Sequence, residues 1–225
     1  MHPEPVPTST LAIDPALVTG LILAGGRGTR MGHVDKGLQP FRGATMLAHV
    51  MARLAPQTGT VMINANQNLA RYQAFGVPLW PDQQDGFAGP LAGLQSGLAH
   101  CSTPYLLSAP CDSPFLPSDL QARLGAGLLA ADADLAVAVT YEPDERAEKD
   151  DSAAHEHSPL RRQTHPVFCL LKISLLPHLS AFLAQGGRKV DAWYASLKVA
   201  EVVFADASAF RNINTLDDLR KYEAP

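Results

Sequence analysis

At 225 residues, with 46% hydrophobic and 18% charged side chains, the chain can bury a real core and fits one large α/β domain. Its formal charge of -4 traces to one stretch, Glu142 to His157, where seven acids and two bases contribute -5, so the remainder is near neutral and carries no nucleic-acid footprint. Cys101, Cys111 and Cys169 are odd in number and lack CxxC spacing, which argues against a disulfide frame or zinc site and suits reduced thiols of the cytoplasm. Residues 1–17, with four prolines and no Lys or Arg, read as a loose tail rather than a secretory leader. The longest apolar stretch, around Ala16 to Gly26, is too short for a membrane span, so neither a membrane nor a nucleic acid is expected as a partner.

The domain then runs from 18 to 225. Val18 to Ala24 is apolar without alternation, as expected of a strand buried on both faces of a parallel sheet. A glycine cluster follows, then "ATMLAHVMARL" at helical spacing, a strand in "TVMINAN" and a helix in "LARYQAF". A short strand "VPLWPD" precedes "PLAGLQSGLAH", a helix that opens with Pro90 in its first turn, where the missing N–H costs nothing. Next come a strand "YLLSAP", a helix to about Ala131 that Ser118 and Asp119 can cap, and a strand "ADLAVAVT". Residues 142–164 are polar and aperiodic and read as an inserted surface loop. After it, "HPVFCLLK" resumes the core, followed by two amphipathic stretches, a strand "KVAEVVFA" and a terminal helix from Thr215. This alternation predicts a Rossmann-like, doubly wound α/β fold, mostly parallel and flanked by helices, with ligands at the carboxyl ends of its strands. Four polar clusters fall at such ends: 25 to 36, Asn64, Asp82, and 111 to 113.

The first cluster, "LILAGGRGTRMGHVDKGL", is built for an anion, because glycines let backbone N–H groups approach a ligand while Arg27, Arg30 and Lys36 supply positive charge. It is not a dinucleotide fingerprint. "HVDKGLQPFRG" intervenes before any helix, and the second strand ends in Asn64 rather than a ribose-binding acid. Nor is it a Walker A loop, since Lys36 is followed by Gly37 and Leu38 rather than Ser or Thr.

"LAGGRGTRMGHVDKGL", "INAN", "GPLAG", "PCDSPFLP", "HPVF" and "NINTLDDL", in that order, resemble the molybdenum cofactor guanylyltransferase family, within the nucleotidyltransferases that carry a glycine-rich signature loop. The likeness spans most of residues 19 to 220 and implies a nucleotide-diphospho-sugar transferase-like fold. It also implies transfer of GMP from GTP to the phosphate of molybdenum-bound molybdopterin, with release of pyrophosphate. In the same terms Arg30, Lys36 and Asp112 are the catalytic candidates, with Asp112 as ligand of a Mg²⁺ cofactor that bridges substrate phosphates. The nucleotide is expected against the backbone of Leu23, Ala24, Gly25 and Gly26 and the side chains of Asn64 and Asp82. Asn212 and Asn214 are expected on the acceptor side, where Asn214 could instead serve the cap at Thr215, with Asp218 completing a shortened capping box. His165, in "HPVF", could order the acceptor pocket, whereas His155 and His157 sit in the polar segment and read as solvated. The alternatives are a relative using CTP or another phosphorylated acceptor, and a nucleotide-binding or cofactor-delivery adaptor without turnover. A cofactor carrier or an acceptor molybdoenzyme is the implied protein partner.

Overall fold

The computed structural model describes residues 12–25, 35–83, 89–143 and 160–223. In chain order the strands are β1 (Val18–Leu23), β2 (Pro40–Phe41), β3 (Ala44–Thr45), β4 (Thr60–Asn64), β5 (Leu79–Trp80), β6 (Tyr105–Pro110), β7 (Leu135–Pro143), β8 (Leu160–Lys172) and β9 (Val199–Val203). The α-helices are α1 (Met46–Leu54), α2 (Leu69–Gln73), α3 (Pro90–His100), α4 (Leu120–Ala130), α5 (Leu176–Ala184), α6 (Val190–Tyr194) and α7 (Leu216–Glu223).

Seven strands form one sheet in the order β5-β4-β1-β6-β8-β7-β9, while β2 and β3 make a small separate hairpin. All pairings in the large sheet are parallel except those of β8, which runs antiparallel to both β6 and β7. The apolar run of β1 is explained by two covered faces. Ile22 faces a core built with α1, α2 and α4, and its neighbour Leu21 faces a second core built with α3, α5 and α6. The chain steps from β1 outward to β4 and β5 and then returns to β6 on the other side, so the strand order reverses at β1. Such a reversal opens a crevice beyond the carboxyl ends of β1, β4 and β6.

Local chemistry sets the element ends. Thr45 caps α1 by accepting from the Ala48 N–H, and Pro90 opens α3 after Gly89. At α4 the expected cap is not made: Asp119 occupies the N-cap position without a side-chain cap bond and pairs with Arg123 one turn on. Part of the stretch expected to be a loose tail is built into the domain. Ile13 is buried, its carbonyl accepts from Gln121, and Asp14 caps a turn at Pro15–Leu17.

The polar segment needs a similar correction at both ends. Glu142 and Pro143 belong to β7, and Leu160 to Thr164 belong to β8, paired through Pro143↔Leu160. The pairing of β8 with β6 ends at Ser108↔Cys169, so among the described residues the outer half of β8 pairs with β7 alone, beyond a register shift at Val137/Ala138. There Arg161, Arg162 and Gln163 stay exposed, and the two arginines find charged partners, Arg161 with Glu142 and Arg162 with Glu201 of β9. Residues 144–159, with His155 and His157, lie outside the described residues. No helix among the described residues is long and apolar enough to cross a membrane, and the three cysteines are unpaired thiols.

Candidate active site

The end of β1 is stitched to both neighbours one step past the ladder: the Ala24 N–H donates to the Asn64 carbonyl, and the Cys111 N–H donates to the Leu23 carbonyl. Sheet register therefore brings Leu23, Ala24, Asn64 and the 111–113 turn to one edge. Two groups of polar side chains flank β1 there.

On the β4 side, Asn64 spends both amide hydrogens. Its Nδ2 donates to the Trp80 carbonyl (3.1 Å) and to Asp82 Oδ1 (2.9 Å). That leaves its Oδ1 turned toward Gly25 and Gly93, as the space at those glycines shows. A Cβ on Gly93 would stand 2.6 Å from Asn64 Oδ1, and one on Gly25 would stand 3.3 Å from it. Asn66 completes the group: its Nδ2 donates to Asp82 Oδ2 (2.9 Å), and its Oδ1 accepts from the Asp82 N–H (2.8 Å). Asp82 is thus held by three donor–acceptor links while each carboxylate oxygen keeps further lone-pair capacity. Asn66 had no role in the sequence reading. The signal was its i, i+2 spacing from Asn64 in "INAN", which returns two amides to the same side of the chain.

On the β6 side, Lys36 Nζ donates to Asp112 Oδ2 (3.0 Å) and to Asn214 Oδ1 (2.5 Å). This ion pair is largely sheltered, at 20% and 11% side-chain exposure, where losing one partner would strand a charge. The segment carrying Asn212 and Asn214 is pinned between them. The buried Ile213 donates its N–H to the Asp112 carbonyl (2.8 Å) and packs with Phe41, Met46 and Leu219, and the Ser113 hydroxyl donates to Asn212 Oδ1 (2.6 Å). Asn214 joins the Lys36 cluster to the cap of the last helix. Its side chain meets Lys36, while its backbone N–H and that of Thr215 donate to Asp218, whose own N–H donates to the Thr215 hydroxyl. That exchange is the shortened capping box.

His165 lies opposite Ala138 at the root of the β7–β8 arm. Its Nε2 is 2.8 Å from the Thr140 hydroxyl, and its ring stacks on Phe210 at 4.6 Å, two residues before Asn212. Burial pushes its pKa down to about 4, so the imidazole is neutral and serves as a packed buttress of the 210–214 segment. Beside Asp112, burial first and the neighbouring carboxylates second push the Cys111 thiol well up, which keeps it a neutral core group. Arg30 and Gly26 lie outside the described residues, so the structure gathers nine of the eleven expected site residues: Leu23, Ala24, Gly25, Lys36, Asn64, Asp82, Asp112, Asn212 and Asn214.

Residues 20–199 match the family model described as the MobA-like NTP transferase domain. The chain is 56% identical to a molybdenum cofactor guanylyltransferase of Cupriavidus taiwanensis over 207 residues, covering 92% of this chain and 96% of the relative. A protein of the same name from Ralstonia nicotianae is 57% identical over 204 residues, covering 91% and 95%. The chain belongs to the MobA-like NTP transferase family. Among solved structures, the molybdopterin-guanine dinucleotide biosynthesis protein A of Archaeoglobus fulgidus is similar in fold, with TM-score 0.69, 21% identity and coverage of 91% of this chain and 96% of the other. A CMP:2-keto-3-deoxy-manno-octonic acid synthetase complexed with CTP is also similar, with TM-score 0.70, 13% identity and coverage of 94% and 98%. In this MobA-like chain the crevice beyond β1 is the place where the expected residues converge.

The hard oxygens of Asp112 and Asn214 already converge on one cationic group, the Lys36 ammonium, which makes their donor set suitable for a small divalent cation. Among the described residues, no group of three or more His, Cys, Asp or Glu side chains converges as a metal cage. A cation here would have to complete its shell with ligand phosphates and water, as Mg²⁺ commonly does.

Proposed function

We propose that the chain transfers GMP from GTP to the phosphate of molybdenum-bound molybdopterin, yielding the guanine dinucleotide form of the cofactor and pyrophosphate. What carries this reading is the Lys36–Asp112–Asn214 cluster at the β1 crevice, in a chain 56% identical to a relative named for that activity. The acceptor is a phosphate monoester, whose second pKa of about 6 leaves it largely a dianion at neutral pH. One of its oxygens bonds to the α-phosphorus of GTP while the bond from that phosphorus to the bridging β-oxygen breaks. The departing pyrophosphate takes the electron pair, and no protein base is needed.

Positioning and charge neutralisation are then the tasks left to the protein. Lys36, with Arg30 from the glycine loop, meets the triphosphate. Asp112 and Asn214 would hold Mg²⁺, which when bound supplies charge neutralisation on the substrate phosphates. The Asn64–Asn66–Asp82 group faces the nucleoside half, where Asp82 and Asn64 Oδ1 present acceptors. Guanine offers adjacent N1–H and N2–H donors, whereas cytosine offers only its N4 amino group, so an acceptor-rich wall favours GTP. Asn212 and the His165–Phe210 buttress flank the acceptor side. The reaction is assigned to the cytoplasm, with the product passing to a carrier or an acceptor molybdoenzyme.

The test is donor competition. Purified protein is supplied with molybdopterin-loaded carrier, Mg²⁺ and equal GTP and CTP, and the released cofactor is weighed by mass spectrometry. The guanine dinucleotide should dominate; an excess of the cytosine dinucleotide would overturn the assignment in favour of a CMP-transferring relative.

A further inference from the structure

Lys36 lies on a turn, not on a strand or long helix, so something else must fix where its ammonium points. The turn, a 3-10 segment Lys36–Leu38, starts after Asp35, which occupies its N-cap position. The Asp35 carboxylate is gripped from α2: the Tyr72 hydroxyl donates to Oδ1 (2.5 Å) and Asn68 Nδ2 donates to Oδ2 (2.9 Å). Its backbone carbonyl accepts from the Leu38 N–H and from Gln39 Nε2 (3.0 Å). Gly37 is wedged in the same place, where a Cβ would stand 2.8 Å from the Tyr72 hydroxyl and 3.2 Å from Cys111 Sγ. The three residues Asp35, Lys36 and Gly37 are therefore clamped between α2 and the turn after β6, and Lys36 emerges toward Asp112 and Asn214.

Tyr72 is fully buried, and its ring is an ordinary part of the core beneath the sheet. The ring alone would be served by Phe. A hydroxyl in that position brings a desolvation cost that only its carboxylate partner offsets. Burial first, then Cys111 and Asp35, keep the phenol protonated far above neutrality, so it donates to Asp35 at every working pH. Asn68 reinforces the grip from a left-handed backbone conformation (φ 51°), which Asn tolerates better than most residues.

We propose that Tyr72, acting through Asp35, is a positioning residue that sets the reach of Lys36 toward the nucleotide phosphates; the proposal rests on the reading of Lys36 as a phosphate-binding group. It makes no contact with substrate itself. Its contribution is to hold the turn in one arrangement, which reduces the ordering needed when the triphosphate arrives.

A double-mutant cycle separates positioning from packing. Wild type, Tyr72→Phe, Lys36→Ala and the double variant are compared for pyrophosphate release with molybdenum-bound molybdopterin, Mg²⁺ and saturating GTP, and for the Kd of a fluorescent GTP analogue. In the Lys36 background, Tyr72→Phe should lower turnover by about tenfold or more and weaken nucleotide binding several-fold. In the Lys36→Ala background the same change should alter binding by less than about twofold. Equal losses in both backgrounds, or no loss in either, overturn the proposal. Unchanged turnover and Kd for Lys36→Ala alone would sink the Lys36 reading itself, whereas a defective Lys36→Ala beside a silent Tyr72→Phe removes only Tyr72. Should Tyr72→Phe not fold, Asn68→Ala replaces it in the cycle: a smaller loss confined to the Lys36 background supports the clamp, and a loss in both backgrounds or in neither overturns it.

Discussion

Gly93→Ala tests the nucleoside half of the site. An added Cβ would lie 2.6 Å from both Asn64 Oδ1 and Leu23 Cδ2, against an ordinary contact of at least 3.4 Å, so the neighbours must give by roughly 0.8 Å. Leu23 can turn aside, but Asn64 is tied by its amide to Trp80 and Asp82. Overpacking of this kind costs about 1–3 kcal/mol, and loosening one of those bonds adds about 1. Replacing Gly by Ala inside α3 returns about 1 kcal/mol of helix propensity. The expected net is a loss of about 1–3 kcal/mol, a drop in Tm of several degrees. Gly97→Ala, one turn on, is the control: the nearest atoms to its Cβ would be side-chain carbons of Leu21 and Leu106, at 2.5 and 3.1 Å, rather than Asn64. Titration with a fluorescent GTP analogue should show Gly93→Ala weakened at least about tenfold, or 1.4 kcal/mol, and Gly97→Ala within about twofold of wild type. Equal affinities for the two variants, whether both intact or both weakened, would refute the placing of the nucleoside against Asn64.

Asp112→Ala should lower turnover on the order of 10² to 10³ while the protein stays folded, as judged by its far-ultraviolet circular dichroism; full Mg²⁺-dependent turnover would remove Asp112 from the chemistry. His165 is neutral in the folded protein, with a pKa pushed down to about 4, and unfolding returns it to its ordinary value of about 6.5. The unfolded state therefore binds the extra proton, so this residue's share of stability is complete above about pH 6.5 and is lost as pH falls toward 4. An NMR titration of His165 should show a midpoint well below 6, and a midpoint near 6.5 would contradict its burial against Phe210. Replacing residues 144–158 by a short Gly/Ser linker should leave folding and GMP transfer intact, because Pro143 and Leu160 are already paired across the arm. A folded protein without transfer would put that segment in the active site.

The parts of the fold that showed in the sequence are those where one physical signal dominates. The unalternating apolar run of β1 reports two covered faces, and the polar residues at strand ends mark the crevice. The β7–β8 arm did not show, because Arg161, Arg162 and Gln163 are exposed and their strand order comes from distant pairing rather than local alternation. In the site, Asn64, Asp82 and Asp112 stand out as polar residues at or just past the ends of apolar strands, and Lys36 as a cation a few residues beyond the glycine cluster. Tyr72 hides, since helical spacing reports only that its ring is core and says nothing of where its hydroxyl points. Asn66 and Asp35 hide for a related reason: their partners, Asp82 and Tyr72, are 16 and 37 residues away.

One stoichiometry tests the transfer reaction most directly. With excess GTP, Mg²⁺ and a limiting, known amount of molybdenum-bound molybdopterin, pyrophosphate and the guanine dinucleotide cofactor should appear together, one for one, until the acceptor is exhausted, over many turnovers of the protein. Tight GTP binding with neither product formed would contradict it, and would make the chain a nucleotide-binding adaptor rather than a transferase.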